Sequence, residues 1–208
     1  MNKVIIPVAL LAAALPLSAF AQSPFEGFDV QIATGYQHSA VKFDPYTDTS
    51  SEGDVPLPIG IGYTANLGND FTLGIVGEYN PLDNKAATSG LGCSGSSVCT
   101  AGTLGTDVKL KDQWDISLVP GYLFNNQNMG YLKIGYASAT AEANIGGNAT
   151  INGWTAGIGD KYLFTDHAYG LLEADYSGYS NKNVAFGNST ATLKTDSYDV
   201  LVGVGYLF

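Results

Sequence analysis

From residue 22 onward, apolar residues alternate with polar or small ones at a period of two in eight separate stretches, and no stretch carries a convincing stripe of period 3.6. A period of two marks an extended strand whose successive side chains point to opposite faces. In the first stretch Phe28, Val30, Ile32, Thr34 and Tyr36 share one face, and Asp29, Gln31, Ala33, Gly35 and Gln37 share the other. The same alternation recurs over 57–67, 71–79, 114–124, 131–136, 154–164, 172–177 and 198–208. The chain therefore reads as all-β, with eight strands that each have one apolar face.

That face can point into a sandwich core or outward into lipid, and two observations separate the options. The charges within the strands, Asp29, Glu78, Asp115, Lys133, Lys161, Glu173, Asp175 and Asp199, all fall on the glycine-rich face, and Asp160 alone breaks the rule. A bilayer demands this segregation, although a soluble sandwich also tolerates it. The aromatics decide. One end of the strands carries Tyr36, Tyr79, Trp114, Tyr136, Trp154, Tyr176 and Tyr198; the other carries Phe28, Phe71, Tyr122, Phe124, Tyr162, Phe164, Tyr206 and Phe208. Two girdles fit the two interfaces of a membrane, and a sandwich has no need of them. The expected fold is a closed, antiparallel, up-and-down, eight-stranded transmembrane β-barrel with lumen charges at the eight inward positions.

The connections agree. Residues 68–70, 125–128 and 165–167 form short turns, while 39–56, 80–110, 139–150 and 178–194 read as long loops rich in Gly, Ser, Thr, Asn and Asp. Strict alternation of short and long is the asymmetry between periplasmic turns and extracellular loops. The N-terminus reads as a signal peptide: Lys3, a mostly apolar stretch from Val4 to Leu17, and Ala19-Phe20-Ala21 as a cleavage site after Ala21. The domain division is then 1–21 for the signal peptide and 22–208 for the barrel. Removing the peptide removes one base, Lys3, and no acid, which takes the net charge from −10 to −11. All nine basic residues are Lys. An acidic chain without Arg lacks the footprint of a nucleic-acid binder and the bidentate forks that grip phosphates.

At Tyr131-Leu132-Lys133-Ile134-Gly135-Tyr136, at Gly153 to Gly159 running on to Tyr162-Leu163-Phe164-Thr165-Asp166, and in the final strand, the chain resembles the small OmpA-like and opacity-like outer-membrane barrels of the porin superfamily. The terminal Tyr206-Leu207-Phe208 resembles the signal read by the barrel-assembly machinery. Asp160 departs from the family, where an apolar residue is usual; either it lies low enough to reach headgroups, or a bulge turns it inward. The resemblance implies integration into outer-membrane lipid and surface display. It implies no particular activity, because one scaffold carries many loop functions.

The chemistry-bearing residues add little to that picture. Cys93 and Cys99, in the longest loop of an exported chain, are expected to form a disulfide. His38-Ser39 with Asp44 lacks the spacing that specifies an oriented base and an oxyanion hole, and His167 falls on the periplasmic side. Asp44, Asp48, Glu52 and Asp54 lack a calcium-loop spacing and read as a solvated acidic loop. No catalytic, cofactor or metal site is expected. The leading reading is a non-enzymatic barrel whose extracellular loops contact a surface ligand and which helps to stabilise the membrane. The alternative is a narrow porin-like channel for small solutes or cations.

Overall fold

The computed structural model describes residues 24–44, 48–94, 98–143, 148–186 and 189–208. The expected signal peptide, 1–21, lies outside the described residues. Eleven strands form one antiparallel sheet: β1 (Gly27–Asp44), β2 (Asp48–Asp54), β3 (Ile59–Gly68), β4 (Phe71–Asn80), β5 (Asn84–Ser94), β6 (Val98–Asn125), β7 (Asn128–Ala143), β8 (Asn148–Leu163), β9 (Ala168–Tyr179), β10 (Lys182–Phe186) and β11 (Ser189–Leu207). Eight of them, β1-β3-β4-β6-β7-β8-β9-β11, form a ring that β11 closes on β1, with pairing from Asp29↔Leu207 to Asp44↔Thr192. Closure satisfies the backbone groups of the wall without an exposed edge, as a membrane-spanning sheet requires.

The faces follow the alternation. Phe28, Val30, Ile32 and Tyr36 point outward and are exposed, while Asp29, Gln31, Ala33 and Gln37 are buried in the lumen. The same division holds around the ring. Both girdles are present. At one rim Trp114 packs on Tyr136 (5.9 Å between ring centres), Trp154 on Tyr176 (5.1 Å) and Tyr176 on Tyr198 (4.8 Å). At the other, Phe28 meets Tyr63 at 4.8 Å and Phe71 meets Tyr122 at 5.1 Å.

The stretches expected to be long loops are instead paired ribbons that carry the wall beyond the outer girdle. β2 pairs with the upper part of β1, β5 with the upper part of β6, and β10 with the upper part of β11, while β7 and β8 stay paired to Glu142↔Asn148. Pro56 and Pro58, which lack an N–H to give the ladder, lie in the break between β2 and β3. Pro81-Leu82-Asp83 separates β4 from β5 in the same way. A polar composition does not distinguish an irregular loop from a two-stranded ribbon. At the opposite end the turns are tight. Asn69 (φ 53°) and Asp70 (φ 66°) link β3 to β4 with two consecutive positive φ values, as a type I′ hairpin demands.

Candidate functional site

The lumen is built in layers from inward residues of all the wall strands. At its waist Lys133 of β7 is 4% exposed and reaches carboxylates of three other strands. It donates to Glu78 of β4, to Glu173 of β9 at 2.9 Å and to Asp175 of β9 at 3.2 Å, and it lies 3.5 Å from Asp115 of β6. The oxygens of Glu78, Glu173 and Asp175 lie close enough together to hold a metal ion, but the Lys133 ammonium donates to all three and serves as their cation.

A second cluster lies toward the short turns. Lys161 of β8 contacts Asp29 at 3.4 Å and donates to the Tyr169 hydroxyl at 3.3 Å, with its ammonium 4.6 Å from the centre of the Tyr169 ring. The Tyr169 hydroxyl in turn donates to Asp29. Tyr131 donates to Glu173 at 2.6 Å, and Gln31 joins the two clusters, accepting from the Tyr169 hydroxyl at 3.1 Å and donating to Glu78 at 2.8 Å. The rings of Tyr131 and Tyr169 lie against Gly159 and Gly205, where any Cβ would collide with them; the lumen glycines make room for these side chains. The space left among Asp29, Gln31, Tyr131, Lys161 and Glu173 is about 10 Å³, at the limit of what one water needs.

Both ends of this network are covered. On the short-turn side Phe25, from the segment before β1, packs with Leu123, Met129 and Leu163 in one buried cluster. On the other side a cavity of about 80 Å³ is lined by Gln37, Asp115, Asp175 and Asp199. Asp199 accepts from Ser197 at 3.3 Å and is the one of the eight strand charges without an ion pair among the described residues. Four amides cap the cavity. Gln37 donates to Gln113 at 3.2 Å, Gln113 to Asn84 at 3.3 Å, and Asn80 to Asn84 at 2.8 Å. Beyond the cap the interior turns apolar, with Ala86, Leu110, Ala139, Ala141 and Ile151 buried inside the ribbons.

The structure thus gathers seven of the eight expected lumen charges into two linked clusters and leaves Asp199 in the cavity above them. The amide cap, the two lumen tyrosines and Phe25 were not singled out by sequence reasoning. Gln37, Gln113 and Tyr169 all carry the inward phase of their strands, which is the signal that could have found them.

The other singled-out residues scatter. His38 and Ser39 are neighbours on one strand and so point to opposite faces; Ser39 is fully buried and lies 3.5 Å from Ser197, away from the imidazole. His167 stacks on Tyr206 at 5.6 Å, and its Nδ1 lies 3.0 Å from the Leu207 carbonyl. Asp54 accepts from the backbone N–H of Val55 and of Lys85, each at 2.8 Å, and so ties β2 to β5. The side chains of Asp44, Asp48, Cys93 and Cys99 lie outside the described residues, although the backbone register sets Cys93 opposite Cys99. Tyr206 and Phe208 lie on the outer face at the short-turn rim, with rings edge-to-face at 5.1 Å.

Known proteins place this architecture. The chain is 29% identical to the 25 kDa outer-membrane immunogenic protein of Brucella canis over 221 residues, covering all of this chain and 98% of the relative. It is 28% identical to the protein of the same name from Brucella abortus over the same coverage. Among solved structures, Neisserial surface protein A superposes with a TM-score of 0.51 at 18% identity, over 88% of this chain and 98% of that one; at that identity the likeness concerns the fold. Residues 8–208 match the family described as outer membrane protein beta-barrel domain. A ring of eight strands with an apolar exterior, a polar interior and that match over nearly the whole chain make the protein a member of this family of bacterial outer-membrane barrels.

Proposed function

We propose that this protein is a non-enzymatic surface barrel: a plugged, rigid cylinder that stiffens the outer membrane and presents its extracellular ribbons to a ligand outside the cell. The observation that carries this reading is the layered interior. An apolar floor at Phe25, an ionic waist at Lys133 and Lys161, and an amide cap leave little room for passage. Meanwhile the ribbons of β1–β2, β5–β6, β7–β8 and β10–β11 stand beyond the outer girdle. Binding function concentrates on such projections from a rigid scaffold. The Brucella relatives are named as immunogenic, a property that fits exposure on a cell surface.

In this reading residues 1–21 direct export and are removed after Ala21. Tyr206 and Phe208 form the signal that the barrel-assembly machinery engages; deleting Phe208 then lowers the outer-membrane level in cells far more than it lowers refolding in detergent. Cys93 and Cys99, opposite each other at the end of the longest ribbon, form a disulfide that fixes its shape. The narrow channel is the competing reading, and planar-bilayer recording separates the two. The plugged barrel gives no steady single-channel conductance, and cells that display it lose surface binding when the β5–β6 ribbon is shortened. Steady conductance that survives the shortening and changes in Glu78→Ala or Lys133→Ala establishes a pore instead.

A further inference from the structure

Among the described residues, the outward face of the membrane-spanning wall carries a single charge, Asp160 of β8. Its register neighbours are Gly130 on β7 and Leu172 on β9, and neither ladder is interrupted there. No bulge turns the side chain inward, so its carboxylate shares the lipid face with Ile158 and Tyr162. No described residue hydrogen-bonds to it or pairs with it. The nearby lumen lysines are engaged elsewhere, Lys133 with four carboxylates and Lys161 with Asp29 and Tyr169. A charge that faces acyl chains is destabilising to a degree that depends on its depth, and a cation from outside the protein would stabilise this carboxylate.

The surface beside Asp160 has the shape to receive one. Directly across the ladder Gly130 has no side chain, and the Phe124 ring lies over it so closely that a Cβ would stand 2.7 Å from Cε2. A groove of about 510 Å³ runs there between Phe71, Tyr122 and Phe124 on one side and Leu132 and Ile158 on the other, with Asp160 on its lining. Tyr162, a member of the girdle on the short-turn side, is two residues along β8. At the usual rise and tilt of a barrel strand this puts Asp160 about 5 Å deeper in the bilayer than the girdle, within reach of a headgroup that folds inward.

We propose that this groove is a binding site for one phospholipid of the short-turn leaflet, with a primary ammonium headgroup, as in phosphatidylethanolamine. The ammonium donates to Asp160 in a charge-assisted hydrogen bond, and an acyl chain fills the groove beside Gly130. Charge complementarity selects this occupant. An anionic headgroup is repelled, and a second copy of the chain offers no lysine on its described lipid face to serve as the cation.

The test uses the folded barrel in micelles doped with equal amounts of phosphatidylethanolamine and phosphatidylglycerol of identical acyl chains, with retained lipid counted by native mass spectrometry. The wild type retains phosphatidylethanolamine over phosphatidylglycerol severalfold. Asp160→Asn, which preserves shape, abolishes the preference, and Gly130→Leu, which pushes the Phe124 ring off its place over Gly130 and so reshapes the groove, lowers retention of both lipids. Should Gly130→Leu fail to fold, the isosteric variant decides alone. Equal retention of the two lipids by the wild type, or a preference that survives in Asp160→Asn, overturns the proposal.

Discussion

Single residues matter here mainly through what they face. Lys133 is the clearest case, because its one ammonium satisfies carboxylates from β4, β6 and β9. The pairing of a buried charge adds little net stability over an apolar core, but removing one partner leaves the others stranded, at a cost of about 3–5 kcal/mol. Lys133→Ala should therefore lower the stability of the barrel by roughly that amount, read as the shift in urea unfolding in lipid vesicles. An unchanged midpoint would mean that the lumen is wet enough to solvate four carboxylates on its own, and the network would lose its role as the barrel's core. The inward placement of Lys133 was legible from alternation alone. Its partners were not, because nothing along the chain says that residues 78 and 173 stand at the height of residue 133.

At the scale of elements, the wall strands were legible and the ribbons were not. Each wall strand sits between lipid and a polar lumen, so every second residue is forced to be apolar. Above the girdle that constraint disappears. Asp112, with φ 48°, also sits in a bulge between Lys111 and Trp114, which shifts the phase of β6. Leu110 and Gln113 are both inward although they stand three positions apart, so the alternation breaks where the strand does not. The ribbons should be separable from the barrel only above the amide cap. Replacing residues 89–106 with Asn-Gly keeps the Thr88↔Asp107 pair and should leave stability within about 1 kcal/mol, since closure entropy varies slowly with loop length. Starting the replacement at residue 84 removes Asn84, which accepts from Asn80 and Gln113, and should cost about 1–3 kcal/mol more through unsatisfied buried amides. Equal losses in the two variants would show that the ribbon tip, with Cys93 and Cys99, is as integral to the fold as the cap.

For the whole molecule, the closed ring is the governing fact. Pairing of β11 with β1 over sixteen register positions leaves the wall without an edge, and the exterior is apolar between two aromatic belts. Such a body should resist SDS at room temperature and shift its gel mobility on boiling, because detergent finds no unpaired strand from which to begin. Identical migration before and after boiling, together with release from membranes by salt alone, would contradict a closed barrel spanning the membrane.

Alternation along the chain was enough to show an inside-out barrel, the number of strands in its wall, and which face of each strand meets lipid. These are local properties: a strand buried between lipid and a polar lumen must alternate residue by residue, and its ends must carry the residues that suit an interface. How the interior closes depends on the packed ring. Stagger around the ring brings Lys133 level with Glu78 and Glu173, sets Tyr131 and Tyr169 against Gly159 and Gly205, and seats Phe25 beneath them. It also decided that Asp160 faces outward, because an unbroken ladder with Gly130 and Leu172 leaves no room for the bulge that would turn it in. Height within a barrel depends on the relative shift of every strand against its neighbours, a quantity shared by the whole ring and carried by no single stretch of sequence.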